Sequence, residues 1–352
     1  PFWRYRNKAE LTFSAEAHDP STRPSISLGT RSGRVTLGYH AVRSFWRIVD
    51  LDDCLLLPEP MVEVLRHARA IAQRLDVAPY HPRSHQGWAR YLVVRASQAT
   101  GQVMALLMTA PGQRELAEAF VQALREACPS LTSVYWGLSS KVADVAIPEE
   151  LILLHGQPHL EEQIGPFQLA LHPLNFFQPN TALAQELYAT LQAWVSDAPD
   201  QTAWDVYCGI GLVSFYLAKK FRAIHGVDVE ASNLAMAPVN AARNGVTNVT
   251  FHAGKAEEVL ANKRFWLQEA KPELVVVDPP RSGLHEQVIS AVLAARPQQI
   301  VYLSCNATAL VRDLKPLLTS FPAYRLSRVQ GFDMFPHTSH LEVLALLERR
   351  SR

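Results

Sequence analysis

The chain has 352 residues, of which 48% are hydrophobic and 19% are charged, with a formal net charge of +1 and four cysteines. This length fits about two domains that each bury a core, and no apolar run reaches the roughly 18 residues that a membrane-spanning helix needs. The cysteines are far apart and form no Cys-x-x-Cys pair, which argues against a disulfide framework or a zinc site made within the chain. We expect a monomeric protein of the reducing cytoplasm, without a membrane or DNA partner.

The first 49 residues are locally basic, with eight basic side chains against three acidic ones, and aromatic residues are interleaved with them. Charge next to stacking surface suits a nucleic-acid backbone with exposed bases. A solvated, strand-rich face is the alternative interpretation. The basic residues are Arg4, Arg6, Lys8, Arg23, Arg31, Arg34, Arg43 and Arg47, and the aromatic ones are Phe2, Trp3, Tyr5, Tyr39, Phe45 and Trp46.

The first half of the chain alternates short strand-like segments with turns. Residues 34–40 and 45–51 have strand character, and the segments ARYLVVRAS and GQVMALLMT flank a turn at residues 98–101, which predicts a hairpin. A helix is predicted over residues 113–127, where Leu116, Phe120 and Leu124 recur at four-residue spacing. More strands are expected up to residue 171. We predict a smaller α+β domain over residues 1–170.

From about Thr181 the pattern changes to strands that alternate with amphipathic helices. A helix over residues 182–196 is followed by strand-like segments that include WDVYC, IHGVD, NVTFHA, ELVVVD and QIVYLS. This alternation predicts an α/β domain over residues 171–352, with a mostly parallel sheet and helices on both faces. Ligands of such sheets bind outside the carboxyl ends of the strands, where the polar motifs of this chain fall.

The segment DVYCGIG, residues 205–211, follows a predicted strand and opens a helix. Gly209 and Gly211 allow a ligand to approach the backbone closely, and the start of the helix offers unpaired N–H groups. Asp228 ends the next strand, where its carboxylate can accept both hydroxyls of a ribose. The third glycine of a dinucleotide-binding fingerprint is missing, and a tight strand–helix turn without a ligand is the alternative.

Three further motifs carry reactive side chains. Asp278 ends an apolar strand and is followed by two prolines, which stiffen the segment and hold the carboxylate beyond the strand. Cys305 follows the next strand, where a thiol beside a cofactor is a candidate nucleophile. Glu342 lies between apolar residues at the start of the last strand, and partial desolvation there suits a general base. The nearby His337 and His340 lack the helical spacing of a metalloprotease site, so a metal site is disfavoured.

Together these stretches resemble the uracil-5-methyltransferase family that acts on tRNA and 23S ribosomal RNA, across essentially the whole chain. The resemblance rests on the joint order and spacing of YRNKAELTF, IVDLDDC, FFQPN, DVYCGIG, DPPRSGL, SCNATAL and DMFPHTSHLE. It implies a class I (Rossmann-like) S-adenosylmethionine-dependent domain with a seven-stranded sheet, preceded by an RNA-binding domain. The stretches FFQPN, ELYAT and FDMFPHTSHLEVL look closest to the ribosomal RNA branch, and the tRNA branch stays open.

The resemblance also implies roles for single residues. Cys305 corresponds to the nucleophile, which adds to carbon 6 of one uridine, and Glu342 to the base that removes the proton from carbon 5. The positions that hold the cofactor or the target uracil are matched by Gln178, Tyr207, Asp228 and Asp278, and the glycines of the same motif add Gly209 and Gly211. The residues expected at the RNA are Arg4, Arg6, Lys8, Phe177, Arg281 and His337.

Three departures from the family pattern qualify these roles. Leu212 stands where a small or polar residue is usual, and Lys255 stands where many methyltransferases place an acidic contact to adenine. Cys54 corresponds to the last of four ligands of a four-iron cluster, whose other three ligands precede the YRNK strand in the family. The chain begins at Pro1 without an initiator Met, so we expect a missing upstream segment and, in this chain, no cluster and an orphan Cys54.

Three other functions compete with RNA uracil methylation. Enzymes that methylate amino groups place Asn or Asp before Pro-Pro and an aromatic residue, whereas Arg281 follows the prolines here. A catalytically silent RNA-binding relative would not need both Cys305 and Glu342. A nicotinamide-dependent dehydrogenase would carry the full glycine fingerprint.

Overall fold

The computed structural model describes residues 2–15, 35–41, 44, 47–142, 145–264, 266, 270–320 and 324–350. The chain forms two compact units, one of Pro1–Gln163 and Leu171–Pro173, the other of Ile164–Ala170 and Leu174–Arg352. The boundary predicted after residue 170 falls where the chain passes between these units. Of the predicted RNA surface, residues 23, 31, 34, 43, 45 and 46 lie outside the described residues.

The first unit is a seven-stranded sheet with two helices, and its strand order is β3-β2-β1-β4-β5-β6-β7. All neighbouring strands are antiparallel except β5 and β6, which are parallel. The elements are β1 (Lys8–Ser14), β2 (Thr36–His40), β3 (Ile48–Asp50), α1 (Glu59–Arg74), β4 (Ala89–Ala96), β5 (Val103–Thr109), α2 (Arg114–Ala127), β6 (Leu131–Leu138) and β7 (Glu150–Gly156). The hairpin of β4 and β5 and the helix α2 were predicted from sequence, whereas α1 was not.

The core of this unit lies under α1 and α2. Leu65, Ala68 and Ala72 of α1 and Phe120 of α2 are fully buried, and the ring of Phe120 meets the ring of Phe13 edge-on at 6.4 Å between centroids. The buried residues Leu65, Ala68 and Ala72 are three and four positions apart, so they form an apolar stripe on one side of α1. The helices therefore cover one face of the sheet.

The aromatic residues of the basic N-terminal segment divide between the core and the surface. Tyr5 is only 1% exposed, so it cannot offer a ring to a stacked base, contrary to the sequence-based expectation. Phe2 and Trp3 are 70% and 51% exposed. The stacking surface of the described segment is therefore limited to these two rings and the half-buried Tyr39.

After β7 the chain forms a two-stranded hairpin where it passes from one unit to the other, since residues 160–163 and 171 belong to the first unit and residues 164–170 to the second. The second unit contains the predicted seven-stranded sheet, in the order β12-β11-β10-β13-β14-β16-β15. The first five strands of this order, from β12 through β11, β10 and β13 to β14, are parallel. Strand β16 pairs antiparallel with β14, and β15 pairs antiparallel with β16 at the edge. The elements are β8 (Leu160–Ile164), β9 (Phe167–Leu171), α3 (Thr181–Trp194), β10 (Ala198–Val206), α4 (Leu212–Leu217), β11 (Phe221–Asp228), α5 (Ala231–Arg243), β12 (Val249–Ala253), α6 (Ala256–Val259), β13 (Pro272–Val277), α7 (Glu286–Ala295), β14 (Gln299–Ser304), α8 (Ala307–Thr319), β15 (Tyr324–Phe332) and β16 (Glu342–Arg349).

One face of this sheet carries a continuous apolar core. Trp204, Val275 and Tyr302 of the sheet pack with Val288 and Leu314 of α7 and α8. This core and the sheet order confirm the mostly parallel α/β fold predicted from the strand–helix alternation. Among the described residues, no helix is long and apolar enough to cross a membrane.

A pair of histidines on β11 and β12 makes the second unit sensitive to acid. The Nδ1 atom of His225 lies 3.0 Å from the Nε2 atom of His252, and both rings contact Trp266. Burial, followed by the charge of His252, lowers the pKa of His225 from 6.5 to about 4, and burial also lowers the pKa of His252. The folded state therefore keeps both rings neutral where an unfolded chain would take up protons.

We expect the free energy of unfolding to fall as the pH drops from about 6.5 towards 4, because the unfolded chain then binds protons that the fold excludes. The loss should be on the order of 2 kcal/mol after allowance for partial exposure. Urea titrations at pH 7.5 and 5 measure it, and His225→Gln should reduce the difference between them. His67→Gln, at an exposed position on α1, is the matched control. An equal pH dependence in His225→Gln and wild type would contradict this origin.

Candidate active site

Three strand ends place a thiol and two carboxyl groups at one edge of the second sheet. Strand β13 ends immediately before Asp278, β14 ends immediately before Cys305, and β16 begins at Glu342. These strands are neighbours in the order β13-β14-β16, and Ser304 pairs with Val343. Because neighbouring strands lie about 4.8 Å apart, residues that are 27 and 37 positions apart in the sequence meet in one cluster.

The two carboxyl groups are held in a desolvated environment. Burial, followed by the charges of Asp205 and Asp228, raises the pKa of Asp278 to about 7. Glu342 is 3% exposed, and burial, followed by the charge of Asp278, raises its pKa to about 8, with Arg281 acting in the opposite direction. A carboxyl group with a pKa in this range can exchange a proton near neutral pH, which general acid–base catalysis requires.

The Cys305 thiol is free and half-buried. Burial, followed by the charges of Glu342 and Asp278, raises its pKa, whereas Arg281 lowers it. The thiol form is therefore favoured while the two carboxyl groups are ionised. Arg281 is the cation that stabilises the thiolate in this cluster.

Hydrogen bonds fix the backbone around Cys305. The side chain of Asn306 caps α8, since its Oδ1 atom accepts hydrogen bonds from the N–H groups of Thr308 and Ala309. Its Nδ2 atom donates to the carbonyl oxygen of Arg281 at 2.9 Å. Asn306 thus ties the backbone beside Cys305 to the segment that carries Asp278 and Arg281.

The glycine motif after β10 adopts backbone conformations that favour glycine. Gly209 and Gly211 have φ values of +55° and +88°, and a Cβ atom on Gly211 would lie 2.8 Å from the ring of Phe251. Tyr207 also has a positive φ, +68°. The N–H of Gly209 donates to the Oδ2 atom of Asp228 at 2.8 Å, so the turn and the end of β11 are locked together.

A cavity of about 850 Å³ lies at the carboxyl ends of β11, β12 and β13. Tyr207 and Asp228 line it, as do residues 254–257 and 282–286, with Arg312 and Asp313 of α8. This volume is typical of a small-molecule site, and a carboxylate beside the apolar Leu284 and Ile289 suits a nucleoside with ribose hydroxyls. The sequence analysis did not assign the lining residues 254, 256 and 257 after β12 or 282–286 after β13 to the cofactor. Both segments follow the carboxyl ends of parallel strands, where ligands of such sheets bind.

Comparisons with known proteins identify the family. The sequence profile of tRNA (uracil-5-)-methyltransferases matches residues 167–350. Uncharacterized RNA methyltransferases of Halalkalibacterium halodurans and Chlorobaculum tepidum are 31% and 32% identical to this chain over 99% and 98% of its length, and the aligned residues cover 72% and 71% of those proteins. The chain belongs to the tRNA (uracil-5-)-methyltransferase family. It is an S-adenosylmethionine-dependent RNA methyltransferase, as the sequence resemblance implied.

A solved structure supports the fold assignment of this methyltransferase. The tRNA (uracil-54, C5)-methyltransferase of Pyrococcus abyssi, in complex with S-adenosyl-L-homocysteine, superposes with a TM-score of 0.77 at 25% identity. The match covers 99% of this chain and 75% of that one. The predicted class I methyltransferase domain is therefore confirmed at the level of the fold.

Asp228 is the predicted cofactor residue whose role can be tested most directly. It is 8% exposed, and besides Gly209 it accepts a hydrogen bond from the N–H of Glu230 at 2.8 Å. We expect Asp228→Ala to weaken S-adenosylmethionine binding by about 1–3 kcal/mol, since a charged acceptor for hydroxyls is lost. Calorimetry measures the affinity, with Glu186→Ala at an exposed position on α3 as the control. An unchanged dissociation constant in Asp228→Ala would contradict the ribose assignment.

Gln178 is a further predicted cofactor residue, and Lys255 and Leu212 are the two positions that depart from the family pattern near the cofactor. Gln178 is 4% exposed and lies two residues before Asn180, which caps α3 with a hydrogen bond to Leu183. Lys255 caps α6 at the cavity wall and donates to the Oε1 atom of Glu258 at 3.1 Å. The departure at Lys255 thus lies at the cavity wall, where its ammonium group pairs with Glu258. Leu212 is buried as the first residue of α4.

The predicted RNA residues of the second unit need one correction. Phe177 is only 6% exposed, whereas its neighbour Phe176 is 61% exposed. The ring available to a stacked base is therefore that of Phe176, because Phe177 packs into the protein. Arg281 and His337 are exposed, and His337 has a positive φ of +71°.

The predicted basic residues of the first unit are already engaged within the protein. The Nη1 atom of Arg4 donates to Asp53 and to the carbonyl oxygens of Cys54 and Leu57. Lys8 pairs with Glu10, and the Nε atom of Arg6 donates to the Lys8 carbonyl oxygen. Arg4 thus stabilises the segment around Cys54, and its charge offers less to a phosphate than the sequence suggested.

Cys54 lies half-buried in that segment with a free thiol. Within the described ranges, no group of three or more His, Cys, Asp or Glu side chains is placed to hold a metal ion. The expectations of an upstream segment and of no four-iron cluster in this chain both remain predictions.

Proposed function

We propose that this methyltransferase methylates carbon 5 of one uridine in 23S ribosomal RNA through a covalent adduct with Cys305. The observation that supports the chemistry is the cluster of Cys305, Asp278 and Glu342 at neighbouring strand ends. Pro280 and Ser282, which follow Asp278 closely in the chain, line the cofactor cavity. Cys305 offers a nucleophile and Glu342 a buried carboxylate, as addition and elimination at a uracil ring require.

The reaction begins with the thiolate of Cys305, which forms a bond to carbon 6 of the uracil and leaves carbon 5 enolate-like. S-adenosylmethionine, which Tyr207 and Asp228 of the cavity would help to hold, would supply an electrophilic methyl group to carbon 5, and its sulfur–methyl bond would break to leave S-adenosylhomocysteine. Glu342 then accepts the proton of carbon 5, the bond between carbon 6 and sulfur breaks, and the thiolate is restored. Arg281 stabilises the thiolate before addition and after elimination, and the target base has to leave its stack to reach the cluster.

The assignment to 23S ribosomal RNA rests on the motifs that resemble that branch of the family. A uridine of the tRNA T-loop is the second candidate, because the Pyrococcus abyssi neighbour is a tRNA (uracil-54, C5)-methyltransferase. Transfer of a labelled methyl group to transcripts of 23S hairpins and of a tRNA T-arm distinguishes the two. Methylation of the T-arm alone would overturn the ribosomal assignment, and methylation of neither transcript, with an active cofactor site, would exclude both.

A further inference from the structure

The segment between β13 and α7 connects the catalytic cluster to the cofactor cavity. It carries Asp278 and Arg281 at the cluster, and residues 282–286 line the cavity. Two prolines in it have no backbone N–H to donate, and its internal backbone bond joins Gly283 N–H to the Pro280 carbonyl oxygen at 2.8 Å. The Asp278 N–H donates to the Val206 carbonyl oxygen at 3.2 Å and fixes the start of the segment, while side chains from neighbouring elements hold the part after it.

Helix α8 supplies those side chains. The Oδ2 atom of Asp313 accepts a hydrogen bond from the N–H of Leu284 at 2.7 Å, and Arg312 donates from Nη2 to the carbonyl oxygen of Ser282 at 2.7 Å. With the bond from Asn306 to Arg281, α8 and its cap hold three positions of the segment. A rigid helix thus sets the course of the segment from the cluster to the cavity.

Asp313 is the centre of this arrangement, and it is 2% exposed. Besides Leu284, its Oδ2 atom accepts the hydroxyl of Tyr302 at 2.8 Å, and its Oδ1 atom accepts Nε of Arg312 at 2.7 Å. Tyr302 lies on β14, three residues before Cys305. One buried carboxylate therefore joins the nucleophile strand, the helix and the segment.

The close approach also explains a glycine of the DPPRSG motif. Gly283 has a φ of +82°, and a Cβ atom there would lie 2.4 Å from Oδ2 of Asp313 and 2.3 Å from Nη2 of Arg312. A side chain at this position would push the segment away from α8. The glycine permits the contact that fixes the cavity wall.

We propose that Asp313 is a positioning residue for methyl transfer. Through Leu284, Tyr302 and Arg312 it fixes the segment so that one arrangement forms the cofactor wall and places Arg281 beside Cys305. The part that concerns Cys305 rests on the proposed function, whereas the part that concerns the cofactor wall does not.

The test compares Asp313→Asn with wild type by two measurements that need no methyl transfer. Calorimetry gives the affinity for S-adenosylhomocysteine, and the rate of Cys305 alkylation by iodoacetamide, followed against pH by peptide mass spectrometry, gives the midpoint of thiolate formation. We expect the dissociation constant to rise about tenfold, as the loss of charged hydrogen bonds to the cavity wall implies, and the alkylation midpoint to move to higher pH.

Two further variants make the result decisive. Lys315→Ala, at an exposed position on the same helix, should change neither quantity. Arg281→Ala should move the alkylation midpoint and leave the cofactor affinity near wild type, since Arg281 does not line the cavity. If Asp313→Asn does not fold, Arg312→Ala replaces it, because that side chain is 59% exposed.

A lower melting temperature of Asp313→Asn, with unchanged affinity and alkylation midpoint, would show a purely structural role and overturn the proposal. Failure of the proposed function looks different. Normal methylation by Cys305→Ala would remove the covalent mechanism and leave the affinity measurement on Asp313→Asn unaffected.

Discussion

Replacement of Cys305 by alanine should abolish methylation and leave the fold and cofactor affinity nearly intact. The thiol is half-buried at the end of β14. Cys305 is not one of the residues that line the cofactor cavity. Without it, carbon 5 of the uracil is not activated, so we expect a loss of turnover of about 10⁴-fold or more. A methyl-transfer assay on RNA, with calorimetry for the cofactor, measures both quantities.

The matched control is Cys54→Ala, which also removes a half-buried free thiol, but in the first unit. RNA with 5-fluorouridine adds a second test, because fluorine at carbon 5 cannot be removed as a proton and the adduct is trapped. Wild type and Cys54→Ala should give a protein–RNA species that survives a denaturing gel, and Cys305→Ala should not. Normal turnover by Cys305→Ala would exclude the covalent mechanism.

Replacement of Glu342 by glutamine should block the reaction at a later step. Glutamine is similar in shape but cannot take up the proton of carbon 5, so addition and methyl transfer proceed while elimination stalls. Loss of general-base catalysis predicts a fall in turnover of about 10²–10⁴-fold. An adduct with unmodified uridine, visible on a denaturing gel, is the expected sign.

The raised pKa of Glu342 adds a stability measurement to this variant. Burial raises its pKa from the 4.5 of a solvated glutamic acid to about 8 in the fold. Ionisation is therefore less favourable in the folded state, and stability falls as the pH rises from 4.5 through 8. Glu342→Gln removes this ionisation and should melt at a higher temperature than wild type at pH 8.5. Glu348→Gln on the same strand, at its more exposed end, is the control. Full turnover without an adduct would show that Glu342 is only a strand residue.

The sequence by itself determined the fold class and predicted the chemistry of the candidate site. Alternating strands and helices indicated the parallel sheet because apolar periodicity is a local property. The sequence also predicted that Asp228, Asp278 and Cys305 lie at strand ends, since each of these residues comes at the end of an apolar run. The last strand was recognised with Glu342 at its start.

Only the tertiary structure brought these positions together and gave them their environment. Cys305 and Glu342 meet because β16 pairs with β14, while β15 takes the outer edge, and pairing between distant segments leaves no local mark in the sequence. The sequence also could not tell which of Phe176 and Phe177 is exposed, because the two side chains are identical and only packing buries one of them. Asp313 has no motif of its own, and its role depends on contacts with Leu284 and Tyr302 that exist only when α8 packs on the sheet. The raised pKa of Glu342 likewise results from desolvation by the packed fold.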